Sequence, residues 1–212
     1  MRVRPRSPSA VVDHVVERAV SMSGSGRLRV AVDGPAPSLP DELADSLVAP
    51  LRAAGRPVVR VSAVDFLRPA SLRWEHGRDD PDALYEDWLD TDALNREVLL
   101  PLGPQGSGRY LPSLWDVGRD RATRAAYEQA PPATVLVLDG ALLLGRGLEL
   151  DLTVHLSLRP DTLARRTPEQ DGWTLPAFGR YRDEVDPERV ADLVVRVDDP
   201  RHPAVVERGA GR

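Results

Sequence analysis

The chain has neither cysteine nor lysine among its 212 residues. The first absence excludes disulfides, thiolate catalysis and zinc–thiolate sites. The second means that all 28 basic residues are arginine, so any cationic contact to a phosphate has to come from a guanidinium. There is no apolar run of signal-sequence or membrane-span type, because residues 11–20 are interrupted by Asp13, His14, Glu17 and Arg18. A net charge of −5 gives no general attraction to nucleic acid or to anionic membrane, so neither is expected as a partner. These bounds lead to the expectation of a cytoplasmic protein of one domain, large enough to bury a full core.

What is present alternates between strand and helix signals. Residues 10–21 carry Val11, Val15, Val16 and Val20 at helical spacing, and a Ser/Gly turn follows at 21–26. A first strand spans 28–32 and ends at Asp33-Gly34. A helix over 41–54 has Leu43, Ala44 and Leu47 on one face and is stopped by Gly55. A second strand covers 58–64. Residues 71–90 are polar and aromatic without clean periodicity, 91–100 reads as a helix with Thr91 as N-cap, and 109–121 is short and partly extended. Further strands fall at 134–138, 152–158 and 192–197, with helices at 161–166 and 187–191. The 20 prolines and 16 glycines are spread along the chain, so no linker divides it. Five strands separated by helical or long connections predict an α/β three-layer fold with a mostly parallel sheet. The expected layout is an N-terminal helix and turn (1–27), a main domain (28–199) and a C-terminal tail (200–212).

Several stretches in this order resemble the uridine kinase-like family of P-loop phosphotransferases, of actinobacterial type. They are the strand-turn-helix at 27–47, Val-Ser-Ala-Val-Asp-Phe-Leu-Arg-Pro at 61–69, and Tyr85-x-x-Trp88. Pro101-Leu-Gly-Pro, Gly108-Arg-Tyr, Trp115-Asp116 with Asp120-Arg121, and Val137-Leu-Asp-Gly-Ala-Leu-Leu-Leu continue the match. Leu163-Ala-Arg-Arg, Tyr181 and Glu184-Val-Asp-Pro complete it. The resemblance implies a P-loop kinase-like fold with a mostly parallel five-stranded sheet, a nucleoside-like small-molecule ligand, and Mg-ATP as donor if transfer is retained. It implies that Asp65 is a general base on a 5′-hydroxyl and that Asp139 holds magnesium through water. Both also read as strand-end aspartates that form turns. Phe66, Arg68, Tyr85, Tyr110, Asp116 and Arg121 correspond to the substrate side, and Arg165 and Arg166 to an arginine-bearing lid. For the aromatics, packing of a small core is the competing use. Lone histidines, such as the strand-borne His155, read as packed. No spacing of His, Asp and Glu resembles a dedicated metal site.

The departure lies in the loop. A Walker A loop reads G-x-x-x-x-G-K-[ST], with glycine amides cradling phosphates, a lysine on the β and γ phosphates, and a hydroxyl on magnesium. Counted from Gly34, the second glycine falls on Leu39, the lysine on Pro40 and the hydroxyl on Asp41. Pro35, Pro37 and Pro40 remove three further N–H donors. Ser38 reads as the helix N-cap with Asp41 completing a capping box. The nucleotide-binding positions, Gly34, Ser38 and Asp41, thus sit in a degenerate loop. Each like-charge contact between Asp41 or Glu42 and a phosphate at roughly 4 Å costs about 4 kcal/mol at an effective dielectric near 20. Two functions follow as expectations: a uridine/nucleoside kinase-like protein with ATP binding lost or weakened, or a non-catalytic pseudokinase that binds a small ligand or a protein.

Overall fold

A computed structural model of the chain describes residues 2–24 and 26–207. Its frame is a seven-stranded sheet. In chain order the strands are β1 (Arg2–Pro5), β2 (Leu28–Asp33), β3 (Val58–Ser62), β4 (Val135–Gly140), β5 (Leu152–Ser157), β6 (Leu193–Arg196) and β7 (Ala204–Glu207). They lie in the order β1-β7-β6-β5-β2-β4-β3. The five strands expected from sequence form the parallel part, from β6 through β5, β2 and β4 to β3. At the β6 edge, β7 and then β1 add two antiparallel strands, so part of the stretch read as a tail belongs to the sheet. Both strands are only four residues long, too brief to give a periodic signal, and β1, the outermost, carries two arginines and a proline, residues typical of strands that blunt a sheet edge.

Helices cover both faces. On one lie α1 (Pro8–Ser23) and α2 (Pro40–Ala53); Val11, Val15, Ala19, Ala44, Leu47 and Leu51 pack on Val30, Val32, Val135, Val137 and Val154. The other face carries α3 (Ala70–Arg73), α4 (Pro81–Glu86) and α5 (Thr91–Leu94), the last continued by a π-helical turn, Asn95–Leu99. There Phe66, Leu94, Val98 and Leu99 pack on Ala31, Val61, Leu136 and Leu138. Because β2 and β4 send alternate residues into both cores, they read as unbroken apolar runs rather than alternating ones. A third cluster gathers Leu142, Leu144, Tyr181, Val194 and Val206 under α7 (Leu175–Glu184), between α6 (Pro160–Arg166) and α8 (Pro187–Val190). No helix pattern marked α7, whose sequence holds Pro176, Gly179 and two arginines among few apolar residues.

Two capping assignments change. The α5 cap is Asp90, whose side chain accepts from the amide of Ala93, not Thr91. The N-cap of α2 is Leu39, with no side-chain cap, while the Ser38 hydroxyl turns back to the carbonyl of Pro35. Pro40 bars the residue before it from the right-handed helical region, which moves the cap one place on. Among the described residues, no helix is long and apolar enough to cross a membrane. Leu138→Ala, which opens a hole between β4 and the Phe66 layer, is expected to cost about 2–5 kcal/mol in urea denaturation.

Candidate functional site

Parallel α/β sheets offer ligands the crevice beyond the carboxyl ends of their strands. Here those ends present the loop after β2, Asp65 after β3, Asp139 in β4, and His155 and Ser157 in β5.

Three amides of the loop after β2 are satisfied by carbonyls of the chain. The Gly34 amide donates to the carbonyl of Gly140 at 3.0 Å, that of Ser38 to Pro35 at 2.8 Å, and that of Leu39 to Ala36 at 3.0 Å. Residues Ala36–Ser38 form one turn of 3-10 helix, and the Ser38 hydroxyl closes it at 2.7 Å. A Cβ placed on Gly34 would lie 2.4 Å from Ser38 Oγ and 3.0 Å from Leu156 Cβ, so the backbone there is tightly enclosed. Leu39 takes a left-handed conformation, φ 59° and ψ 55°, and is 42 % exposed. A leucine in that region costs about 1–2 kcal/mol relative to right-handed backbone. Asp41 and Glu42 lie in the first turn of α2, where they complement its dipole.

Beside the loop, Asp139 is 5 % exposed and already has partners. Arg60 Nη1 donates to its Oδ1 at 2.6 Å, and Ser62 Oγ to its Oδ2 at 3.3 Å. The same guanidinium reaches Asp45 through Nε at 2.9 Å, so Arg60 ties β3, β4 and α2 together. No local sequence pattern marks Arg60 for this role. Asp139 Oδ1 faces a guanidinium, so the oxygen that would turn toward a hydrated cation is already occupied by a charged side chain.

Asp65 is half-buried beside this pair. Burial raises its pKa, and the charges of Asp139 and Asp116 add to that, while Arg60 and a hydrogen bond with Ser113 oppose it. The structure thus brings Asp65, Asp116 and Asp139 into one electrostatic neighbourhood. Phe66, by contrast, is wholly buried in the second core. Tyr110 is buried too, its hydroxyl donating to Glu128 at 2.7 Å. Arg121 is exposed in a two-residue ribbon paired with Asp116, and Arg68 stands 3.7 Å from Asp87. Tyr85 lies on α4 against α7, donating to Glu184 at 3.2 Å with Arg180 over its ring. Of the lid pair, Arg166 donates to the carbonyls of Val197 and Asp198, and Arg165 contacts Thr162 at 3.4 Å.

Sequence reasoning also missed a buried network. Asp33, at 0 % exposure, accepts from the Leu143 amide at 2.9 Å and from Tyr181 Oη at 2.9 Å, and its Oδ2 lies 2.7 Å from His155 Nδ1. The Tyr181 oxygen in turn accepts from the Leu144 amide. Burial, then the Asp33 charge, pushes the Tyr181 hydroxyl well above the usual tyrosine range. This network fastens β2, β5, α7 and the loop after β4 directly behind Gly34. His155 is a partner in it rather than a merely packed side chain.

No protein-family model and no curated protein matches the sequence. Solved structures do match. One is a possible uridine kinase from Bacillus stearothermophilus, 18 % identical, with 88 % of this chain and 97 % of that one aligned at a TM-score of 0.70. A provisionally named fructose transport system kinase from Silicibacter sp. TM1040 is 23 % identical, over 88 % and 95 % of the two chains, TM-score 0.60. D-glycerate 3-kinase from Cryptococcus neoformans var. grubii is 16 % identical over 83 % and 78 %, TM-score 0.50. The likeness shows the fold, the α/β architecture of P-loop kinases, and not the substrate.

Two outcomes test the geometry. Arg60→Ala leaves the buried Asp139 carboxylate unpaired and is expected to destabilise the protein by about 3–5 kcal/mol at neutral pH, with Asp139→Asn in the same chain recovering most of the loss. The raised pKa of Asp65 means that its native carboxyl holds a proton more tightly than the unfolded one, so its ionisation opposes folding. The stability it contributes is present below the unfolded pKa and is lost as pH rises through the folded one. Asp65→Asn is therefore expected to raise the melting temperature near pH 7, with the advantage fading below about pH 4.

Proposed function

We propose that this chain is a uridine kinase-like protein in which ATP binding by the phosphate loop is lost or much weakened, and that it works as a non-catalytic small-ligand-binding module. The observation that carries the reading is the loop after β2. A phosphate cradle needs several backbone N–H groups converging on one anion. In residues 34–40 three positions are proline, and the amides of Gly34, Ser38 and Leu39 all donate to carbonyls of the chain. An incoming phosphate has to break that set and then face the carboxylates of Asp41 and Glu42. No lysine exists to offset them, and the terminal nitrogens of Arg166, the nearest counterpart of a lid arginine, donate to backbone carbonyls.

The pairing of Asp139 with Arg60 supports the same reading, since the carboxylate that would hold magnesium through water is neutralised by a side chain. Without the anion and the metal, phosphoryl transfer lacks its two main sources of transition-state stabilisation. The matching structures bear the names of kinases for different substrates, so they do not select a ligand. A second reading, an active nucleoside phosphotransferase, draws on Asp65: a half-buried carboxyl with a raised pKa suits a general base.

Isothermal titration separates the two. The expected result is no saturable heat from Mg-ATP up to about 1 mM, matched by no nucleoside-dependent phosphate release. Micromolar affinity that is lost on substituting Asp41 or Arg166 would contradict the reading and favour the active kinase.

A further inference from the structure

The rebuilt loop forms one wall of a cavity of about 730 Å³, within the size range typical of small-molecule sites. The other walls are α1, the start of α2, and the ends of β5 and β6. Its surface is chiefly Val11, Val12, Leu39, Leu43, Val195 and Val197. The charged groups in the lining are two carboxylates and one guanidinium. Asp13 and Glu42, both exposed, are the carboxylates among them, and the third charged residue is Arg166, whose terminal nitrogens donate to the carbonyls of Val197 and Asp198.

Leu39 is the informative residue. It holds a left-handed backbone that glycine or asparagine would adopt at less cost, and it keeps 42 % of its surface exposed beside the cavity. A large apolar side chain that is both strained and uncovered is explained if something apolar covers it. The charges lean one way: Asp13 and Glu42 outnumber Arg166, whose guanidinium is already held by two backbone carbonyls, so an anion is disfavoured relative to a neutral or cationic molecule.

We infer that this cavity is a binding site for an apolar small molecule, neutral or cationic and not an anion, with Leu39 as its central contact. The inference rests on the reading of the chain as a binding module, and it says what the altered loop does instead of holding phosphate. The loss of the glycine and the gain of an apolar wall are then the same substitution.

The test uses two fluorescent probes of the same skeleton on the full chain: N-phenyl-1-naphthylamine, which is neutral, and 1-anilinonaphthalene-8-sulfonate, which is anionic. The neutral probe is expected to bind saturably at one equivalent, and the sulfonate about tenfold or more weaker. Asp13→Asn with Glu42→Gln is expected to narrow that gap. Leu39→Gly relieves the backbone and is expected to hold or raise the melting temperature, yet to weaken the neutral probe about tenfold. That combination separates a lost contact from a damaged fold. Equal affinity for the two probes, or unchanged binding in Leu39→Gly, overturns the inference. Absence of saturable binding in the folded protein overturns this site alone and leaves the binding-module reading standing. Displacement of the neutral probe by millimolar Mg-ATP overturns both.

Discussion

The backbone amides that follow β2 can serve one acceptor at a time. In a phosphate loop they wait for an anion, held apart by glycines that let the chain curl around it. Here the amides of Gly34, Ser38 and Leu39 close on the carbonyls of Gly140, Pro35 and Ala36. The prolines at 35, 37 and 40 fix the backbone between them and offer no donor of their own. The left-handed Leu39 is the joint that lets a 3-10 turn run directly into α2. Behind the loop, Asp33 is gripped by Leu143, His155 and Tyr181, so the strand end that carries the turn is itself held from three sides. Everything downstream in the site depends on this closure.

The charges around the loop are arranged consistently with it. Asp139 finds its cation in Arg60, which also reaches Asp45 on α2. That arrangement ties β3, β4 and α2 together through one guanidinium. Asp65 remains beside it as a half-buried carboxyl whose protonation burial favours. Both carboxylates thus serve the internal electrostatics of the sheet's carboxyl edge.

How much of this could be read in advance differs by feature. The parallel strands were legible because β2 and β4 are apolar on both faces, and α1 and α2 because their buried residues recur at helical spacing. The antiparallel strands β1 and β7 were not, being four residues long and partly charged. The loop's lack of glycine, lysine and hydroxyl was visible in sequence, but not how its donors would be satisfied, and Ser38 was assigned a cap that Pro40 moved to Leu39. The most consequential contacts left no local trace. Asp33 meets His155 across 122 positions and Tyr181 across 148, and Arg60 meets Asp139 across 79. Such pairings come from the sheet order, not from spacing. Of the substrate-side residues, Asp116 lies near Asp65, while Tyr85 is committed to α7 and Phe66 to the core.

The central claim is that the amides of Gly34, Ser38 and Leu39 are engaged by the chain itself and do not receive phosphate. The most direct measurement is a ¹⁵N–¹H correlation spectrum of the full chain, followed residue by residue as Mg-ATP is added. The account expects the amide resonances of Gly34, Ser38 and Leu39 to stay in place. A progressive, saturating shift at those three amides would contradict it.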